Sequence, residues 1–365
     1  MRKQVIIIGG GVIGAACAYF LSQRNLPVLI LERQYLASGC TSATASMVNN
    51  FSTNPIPEPL RPFTFQGHRL IKELEADFEL SLEISRGGTL ILATNEQEFI
   101  DLKNLFDEVE QTGVNCEFFD GLTVRRREPL LAAHTMGAIY NPDSYHVNPF
   151  RLCEGYLNGA LRRGSEIKYG TEVRNIKFRN DQVDCVITDQ GQYEADYVIV
   201  AGGAYTPQIF SESGIDIPII PARGQAIISE ACLPMLNHTL SFLPHMYIKQ
   251  VANGNFYLGS STEYVGYNTD ITLDSISAYS CYLVRAMPIL AKVKILRLFA
   301  GLRPMTADKL PILGPIPQCS RVILAAGHCS NGIRYSAITG KTVSQLILDG
   351  KTELPIDAFA LNRFA

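Results

Sequence analysis

Short runs of consecutive β-branched and aliphatic residues punctuate this chain. The first, Val5-Ile6-Ile7-Ile8, carries no polar alternation, which predicts a strand buried on both faces of a parallel sheet. A helix is expected from Val12 to Ser22. Val28-Leu29-Ile30-Leu31 then repeats the buried-strand pattern and ends at Glu32, completing a βαβ unit. From Ser38 to Phe65 the chain is rich in Ser, Thr, Asn and Pro, the composition of a long loop over a site. Helices are expected around residues 69–78 and 96–112, the second with Phe99, Leu102, Phe106 and Val109 at helical spacing, and a strand at 88–93.

Residues 148–163 carry Leu152, Tyr156, Ala160 and Leu161 on one helical face, with Gly164 placed to end the helix. Residues 172–179, 182–188 and 192–194 read as a strand meander. It leads into Asp196-Tyr197-Val198-Ile199-Val200-Ala201-Gly202-Gly203, a return to the parallel sheet. From Pro218 to Leu302 short runs alternate polar and apolar residues (225–229, 245–251, 255–260), with one helix near 274–287. That pattern predicts an antiparallel sheet in a second domain. Val322-Ile323-Leu324-Ala325-Ala326-Gly327, a turn, and a helix over 332–348 close the chain.

The chain has 365 residues, 47% of them apolar and 18% charged, enough for a large core and about two domains. Disorder, collagen and small disulfide scaffolds are excluded. The net charge is −3, and the densest basic cluster, Arg125-Arg126-Arg127, is followed by Glu128, which argues against nucleic acid. Nine cysteines lie far apart with no CxxC pair, as expected for reduced thiols in a cytoplasmic protein. Arg2-Lys3 before the uncharged run from Val5 to Leu21 mimics a signal peptide or anchor. Gly9, Gly10, Gly11 and Gly14 break that run, and no other stretch is long and apolar enough to span a membrane. The six histidines show no ligand spacing, so no metal is expected.

Gly9-x-Gly11-x-x-Gly14 falls between a predicted strand and a helix, and Glu32 ends the next strand. Each part has a mechanical role in binding a dinucleotide. Glycine permits the tight turn and close backbone approach, the helix N-terminus holds pyrophosphate, and the carboxylate bonds ribose hydroxyls. The motif alone does not separate FAD from NAD.

With Arg33, the loop Ser38-Gly39-Cys40-Thr41-Ser42-Ala43-Thr44-Ala45-Ser46-Met47 and Ala201-Gly202-Gly203-Ala204, the sequence resembles the D-amino-acid oxidase and glycine oxidase (DAO) superfamily of flavoproteins along essentially its whole length. Val147-Asn148-Pro149-Phe150-Arg151-Leu152, Gly301-Leu302-Arg303-Pro304, Leu310-Pro311-Ile312-Leu313-Gly314-Pro315, Gly327-His328 through Asn331-Gly332-Ile333 to Gly340, and the tail from Leu354 to Phe364 are especially similar to glycine oxidases and the FAD subunit of hydrogen cyanide synthase. Hydroxyproline and opine dehydrogenase subunits look similar too. The resemblance implies an α/β (α+β) architecture: a Rossmann-like FAD-binding domain with a central parallel sheet, and a substrate domain with a mixed, largely antiparallel sheet. It places the first over 1–84, 146–217 and 305–365, and the second over 85–145 and 218–304.

The same resemblance implies noncovalent FAD. The cofactor would lie against Gly9, Gly11, Val12, Ile13, Gly14, Glu32 and Arg33, then Thr41, Ser42, Ala45 and Ser46. Val173, Ala201, Gly202, Gly301 and Arg303 would follow, with His328, Ser330, Asn331, Gly332 and Ile333 at the last helix. Arg303 matches the arginine that grips the substrate carboxylate, for which a planar guanidinium fork is suited; the alternative is an ion pair with Asp308. Tyr247 matches a pocket tyrosine that bonds the carboxylate, or is an ordinary strand aromatic. Met47 matches a pocket-lining position, or is simple filler. His328 bonds near the flavin or serves the turn. Lys249, two residues after Tyr247 and so on the same strand face, is similar to a lysine that helps oxygen react near flavin N5 in some sarcosine oxidases, or is a solvated charge before the Asn253-Gly254 turn. In the family Phe-Arg often follows the Gly-His pair, where this chain has Cys329-Ser330, so a positive charge at the pocket mouth is missing.

The implied activity is oxidation of the C–N bond of glycine or a small D-amino or imino acid, with hydride passing to flavin N5. The imine would hydrolyse to an oxo acid and ammonia, and oxygen would reoxidise the flavin, in an enzyme that acts alone or as a homo-oligomer. The alternative is the FAD subunit of a heteromeric dehydrogenase passing electrons to partner subunits, peripheral at the inner face of the membrane. With no cysteine cluster here, any iron–sulfur relay would lie in another subunit.

Overall fold

The computed structural model describes residues 4–51, 56–243 and 246–364. Arg2-Lys3, residues 52–55 of the expected loop, and His245 at the start of an expected strand lie outside the described residues.

Val5–Ile8 is the central strand that its pattern predicts, and alternation of its side chains divides the surrounding core. Val5 and Ile7 pack with Cys17, Leu21, Leu157 and Ile338 on the helical side. Ile6 and Ile8 pack with Val173, Ile176 and Val186 on the other. The strand belongs to a six-stranded sheet in the order Ile312–Ile316, Cys319–Ala326, Tyr197–Val200, Val5–Ile8, Leu29–Leu31, Glu166–Lys168. Only the Ile312–Ile316 strand runs antiparallel to its neighbour. Helices Val12–Gln23, Pro149–Leu161 and Gly332–Asp349 cover one face, and the meander Val173–Arg179, Gln182–Thr188, Gly191–Tyr193 covers the other.

The second sheet has eight strands, in the order Ile295–Met305, Ile220–Ala231, Asn255–Gly259, Met246–Gln250, Thr239–Phe242, Thr89–Ala93, Gly137–Asn141, Glu117–Asp120. All its pairs are antiparallel except Thr239–Phe242 with Thr89–Ala93. Leu273–Ala286 packs on one face through Ile276, Tyr279 and Leu283.

Several elements differ from the sequence expectation. The loop from Ser38 ends early, because helix Arg61–Asp77 begins with Pro62 in its first turn, where proline costs no hydrogen bond. Helix Gly121–Arg127, capped by the Asp120 carboxylate at Thr123 N–H, absorbs Arg125, Arg126 and Arg127 in its last turn, where cations oppose the helix dipole. The strands at 117–120, 137–141, 166–168 and 312–316 are short and take their pairing from neighbours distant in sequence.

Glycine sets a close helix contact. A Cβ on Gly340 would lie 2.7 Å from the Ala16 backbone, so helices Val12–Gln23 and Gly332–Asp349 meet backbone to backbone only because that position is bare. Gly340→Val is expected to destabilise the fold by about 1–3 kcal/mol through overpacking, read as a lower urea midpoint; an unchanged midpoint would contradict this contact.

Candidate active site

A cavity of 790 Å³ opens at the carboxyl ends of the parallel strands, where Ile8, Leu31, Ala201 and Ala326 reach its wall, the usual ligand position in open α/β sheets. Gly9 turns with φ +105°, and a Cβ there would meet the Ala201 carbonyl oxygen at 2.6 Å. The helix that follows has no side-chain cap of its own at Gly11; Thr41 Oγ1 accepts instead from Val12 N–H at 3.1 Å. Glu32 is buried on the cavity wall, its Oε2 accepting from Gly10 N–H at 2.6 Å and its Oε1 from Gln34 N–H at 2.8 Å.

Gly9, Gly11, Val12, Ile13, Glu32, Arg33, Thr41, Ser42, Ala45, Ser46 and Met47 line this cavity, together with Val173, Ala201, Gly202, Tyr247, Gly301, Arg303, His328, Ser330, Asn331, Gly332 and Ile333. Gly14 does not. It lies behind the wall, where a Cβ would come within 2.0 Å of the Gly9 carbonyl oxygen, so its role is to let the helix close on the turn.

Arg303 stands on Ile295–Met305, and Gly301 of that strand pairs with Gly224 across the sheet. A Cβ on Gly224 would fall 2.4 Å from Arg303 Nη1; the missing side chain is the space the guanidinium occupies. Arg303 donates to the Ser261 carbonyl at 2.8 Å and to Ser260 Oγ at 2.6 Å. The expected alternative, an ion pair with Asp308, is not formed: Asp308 is held by Arg363 Nε at 2.7 Å. Among the described residues no carboxylate pairs with Arg303.

Ile91, Ser241, Tyr247 and Gly259 form one cross-strand row, and Ile91, Ser241 and Tyr247 line the cavity. Burial pushes the Tyr247 phenol up to about 12, against the opposing pull of Arg303 and the Ser260 hydroxyl. It remains a hydrogen-bond donor at neutral pH. Burial likewise raises Cys40 despite the Arg303 charge, keeping it a thiol rather than a nucleophilic thiolate. Burial lowers His328 to about 4, so the imidazole is neutral and shares a 3.0 Å hydrogen bond with Thr339 Oγ1.

Lys249 is not the solvated charge its place before a turn suggested. It is buried, donates to the Ala45 carbonyl, lies 5.1 Å from the Tyr257 ring centroid, and is lowered by desolvation to about 7. The sequence reading also passed over Tyr205, whose ring is 3.7 Å from the Arg33 guanidinium and stacks on Tyr267. Gly224 escaped as well, because only strand register brings it to Arg303.

Before helix Gly332–Asp349, the residues from Gly327 to Ile333 all line the cavity. Asn331 makes no side-chain capping bond, which leaves the first N–H groups of this helix for a ligand with negative character. Bare glycines at the turn, a buried carboxylate at the second strand end and two helix N-termini fit a dinucleotide with its pyrophosphate and a second electron-rich group. The fold and cavity thus define a dinucleotide-dependent α/β enzyme.

The family described as FAD dependent oxidoreductase matches residues 4–346, and the chain belongs to it. It is 29% identical to hydrogen cyanide synthase subunit HcnC of Pseudomonas protegens, over 99% of this chain and 96% of that protein. Glycine oxidase of Bacillus subtilis is 27% identical, over 99% and 97%. The crystal structure of glycine oxidase from Geobacillus kaustophilus superposes with a TM-score of 0.93 at 27% identity, covering 99% of each chain. This chain is an FAD-dependent oxidoreductase with the fold of those flavoenzymes. Among the described residues no helix is long and apolar enough to cross a membrane, and no group of side chains could hold a metal.

Lys249 makes folding depend on pH with a definite sign. Its folded value of about 7 lies below its ordinary 10.5. Between these the unfolded chain carries a proton that the folded chain has released, so stability rises with pH, by at most about 1.4 kcal/mol per unit. Below that window both states are protonated, and above it neither is. Lys249→Met is expected to remove this contribution in urea titrations at successive pH values; identical slopes in variant and parent would contradict it.

Proposed function

We propose that this enzyme holds FAD noncovalently and oxidises the C–N bond of glycine or a small D-amino or imino acid, with oxygen as electron acceptor. The observation that carries the reading is Arg303: a guanidinium on the cavity wall with no carboxylate partner, beside a phenol kept protonated. A permanent cation in that state is complementary to a substrate carboxylate, which its fork can meet at both oxygens while Tyr247 donates a third hydrogen bond.

In this reading residues 1–84, 146–217 and 305–365 form the FAD-binding part and 85–145 and 218–304 the substrate part. Glu32 bonds ribose hydroxyls, the N-terminus of Val12–Gln23 takes the pyrophosphate, and the free N–H groups at Gly332 and Ile333 favour negative charge on the flavin ring. Bound FAD supplies the hydride acceptor. Arg303 and Tyr247 hold the α-carbon in place, and such positioning accounts for much of the acceleration. The amine binds unprotonated, so loss of hydride from Cα leaves a protonated imine without a side-chain base. Water then releases an oxo acid and ammonium, and oxygen would take the hydride equivalent, two electrons and a proton, with a second proton from solvent to give hydrogen peroxide.

Similarity to a subunit named for hydrogen cyanide synthase supports a second reading, in which partner subunits take the electrons. Both are tested by an anaerobic visible spectrum titrated with glycine, sarcosine, D-alanine, D-proline and hydroxyproline, followed by air. Bleaching by one of them, with return of the yellow colour and peroxide in air, is the expected result. Bleaching that persists in air would favour the partner-dependent reading, and no bleaching would overturn the substrate class. Arg303→Leu should retain FAD and lose amine-driven bleaching by about 100-fold or more, the cost of removing one partner of a buried charge pair; equal bleaching would remove Arg303 from the mechanism.

A further inference from the structure

A second buried guanidinium faces the same cavity. Arg334, in the first turn of Gly332–Asp349, is only 5% exposed, yet its Nε has no hydrogen-bond partner. Among the described residues it forms no ion pair, and the Tyr335 ring centroid lies 5.9 Å from the guanidinium carbon. Asn49, 9% exposed, lines the cavity as well, and its Oδ1 is equally unpartnered. A buried charge without a counterion and a buried amide without a donor are both costly. These two atoms are themselves closed to solvent, but both residues line the cavity, and a guanidinium there without a counterion points to an anionic ligand.

Their position within the cavity follows from their neighbours. A Cβ on Gly67 would touch the Arg334 carbonyl at 2.5 Å, so Arg334 lies against helix Arg61–Asp77. Its charge is felt by His68 of that helix and by Tyr145. Tyr145 pairs with Val48 in the ribbon that also holds Met47, and Asn49 is the next residue. Arg334 and Asn49 therefore lie by the ribbon that holds Met47, and neither is one of the glycine-turn residues or Glu32 that would anchor the dinucleotide. Arg334 is also one helical turn beyond Ser330, which is exposed. A cation is thus present at the pocket even though position 330 lacks one.

We infer that Arg334 and Asn49 form a second substrate subsite that takes an anionic side group, making the preferred substrate an amine with two carboxylates. Arg303 holds the carboxylate next to the reacting carbon; Arg334 receives the other, with Asn49 on the same cavity wall. This rests on the proposed C–N oxidation for the word substrate, whereas the anion subsite itself does not.

Two measurements separate the claims. First, the oxidised FAD enzyme is titrated with succinate and with propionate, following the flavin spectrum, in the parent and in Arg334→Leu. Succinate should bind at least about tenfold more tightly than propionate to the parent, and Arg334→Leu should abolish that preference while leaving propionate affinity unchanged. Equal affinity for the two acids in the parent, or an unchanged preference in Arg334→Leu, would overturn the subsite. Second, anaerobic bleaching by iminodiacetate, D-aspartate and D-glutamate is compared with glycine and D-alanine. Faster bleaching by a dicarboxylic amine supports the inference, and bleaching by the monocarboxylic ones alone overturns it. Succinate preference with no bleaching by any amine would leave the anion subsite standing and overturn both the dicarboxylic-amine assignment and the C–N oxidation reading. Thermal melting gives a further readout. Removal of an uncompensated charge should raise the melting temperature of Arg334→Leu without ligand, whereas a merely structural arginine would lower it.

Discussion

Everything at the site depends on the strand pairing that sets Gly224 opposite Gly301. Neither position carries a Cβ, and both absences are used. At Gly224 the space is filled by the Arg303 guanidinium, and at Gly301 by Ala43, whose Cβ would lie 2.2 Å from any side chain placed there. The first lets a cation lie along the sheet; the second lets the Cys40–Ala43 turn sit on the sheet and bring Thr41 to the N-terminus of Val12–Gln23. One register thereby connects the eight-stranded sheet to the glycine turn of the six-stranded one.

Burial then sorts the ionisable groups in and around the cavity by chemistry. Tyr247 and Cys40 are held protonated, and His328 is held neutral. Lys249, behind the cavity wall, is lowered by burial to about 7, with its ammonium donating to a backbone carbonyl. Arginine alone cannot respond this way, since its proton is not lost at accessible pH. Arg303 and Arg334 remain cations in a space that would neutralise most other groups. Low dielectric strengthens their attraction for an incoming anion and raises the cost of leaving them bare.

How much of this the amino-acid sequence reveals depends on the range of the interaction concerned. The βαβ opening was legible because strand, glycines, helix and Glu32 are local and in register. Arg303, Tyr247 and the Gly327–Ile333 turn were legible through motif resemblance, and the cavity brings those positions together. Gly14 was placed at the cofactor, yet its glycine is required by contact with Gly9. Lys249 was read as solvated because it precedes the Asn253-Gly254 turn; its burial comes from Ala45 and Tyr257, which sequence distance hides. Gly224, Asn49 and Arg334 matter only through register and unpaired atoms, which no local pattern encodes. The short strand Glu117–Asp120 escaped for the same reason.

The most direct test of the account is acetate binding to the oxidised FAD enzyme, followed as a flavin spectral shift in the parent and in Gly224→Val. If the bare Gly224 position is what frees Arg303 to receive a carboxylate, acetate affinity falls at least about tenfold in the variant while FAD content and the far-ultraviolet circular dichroism stay unchanged. Equal acetate affinity in the two proteins would contradict it.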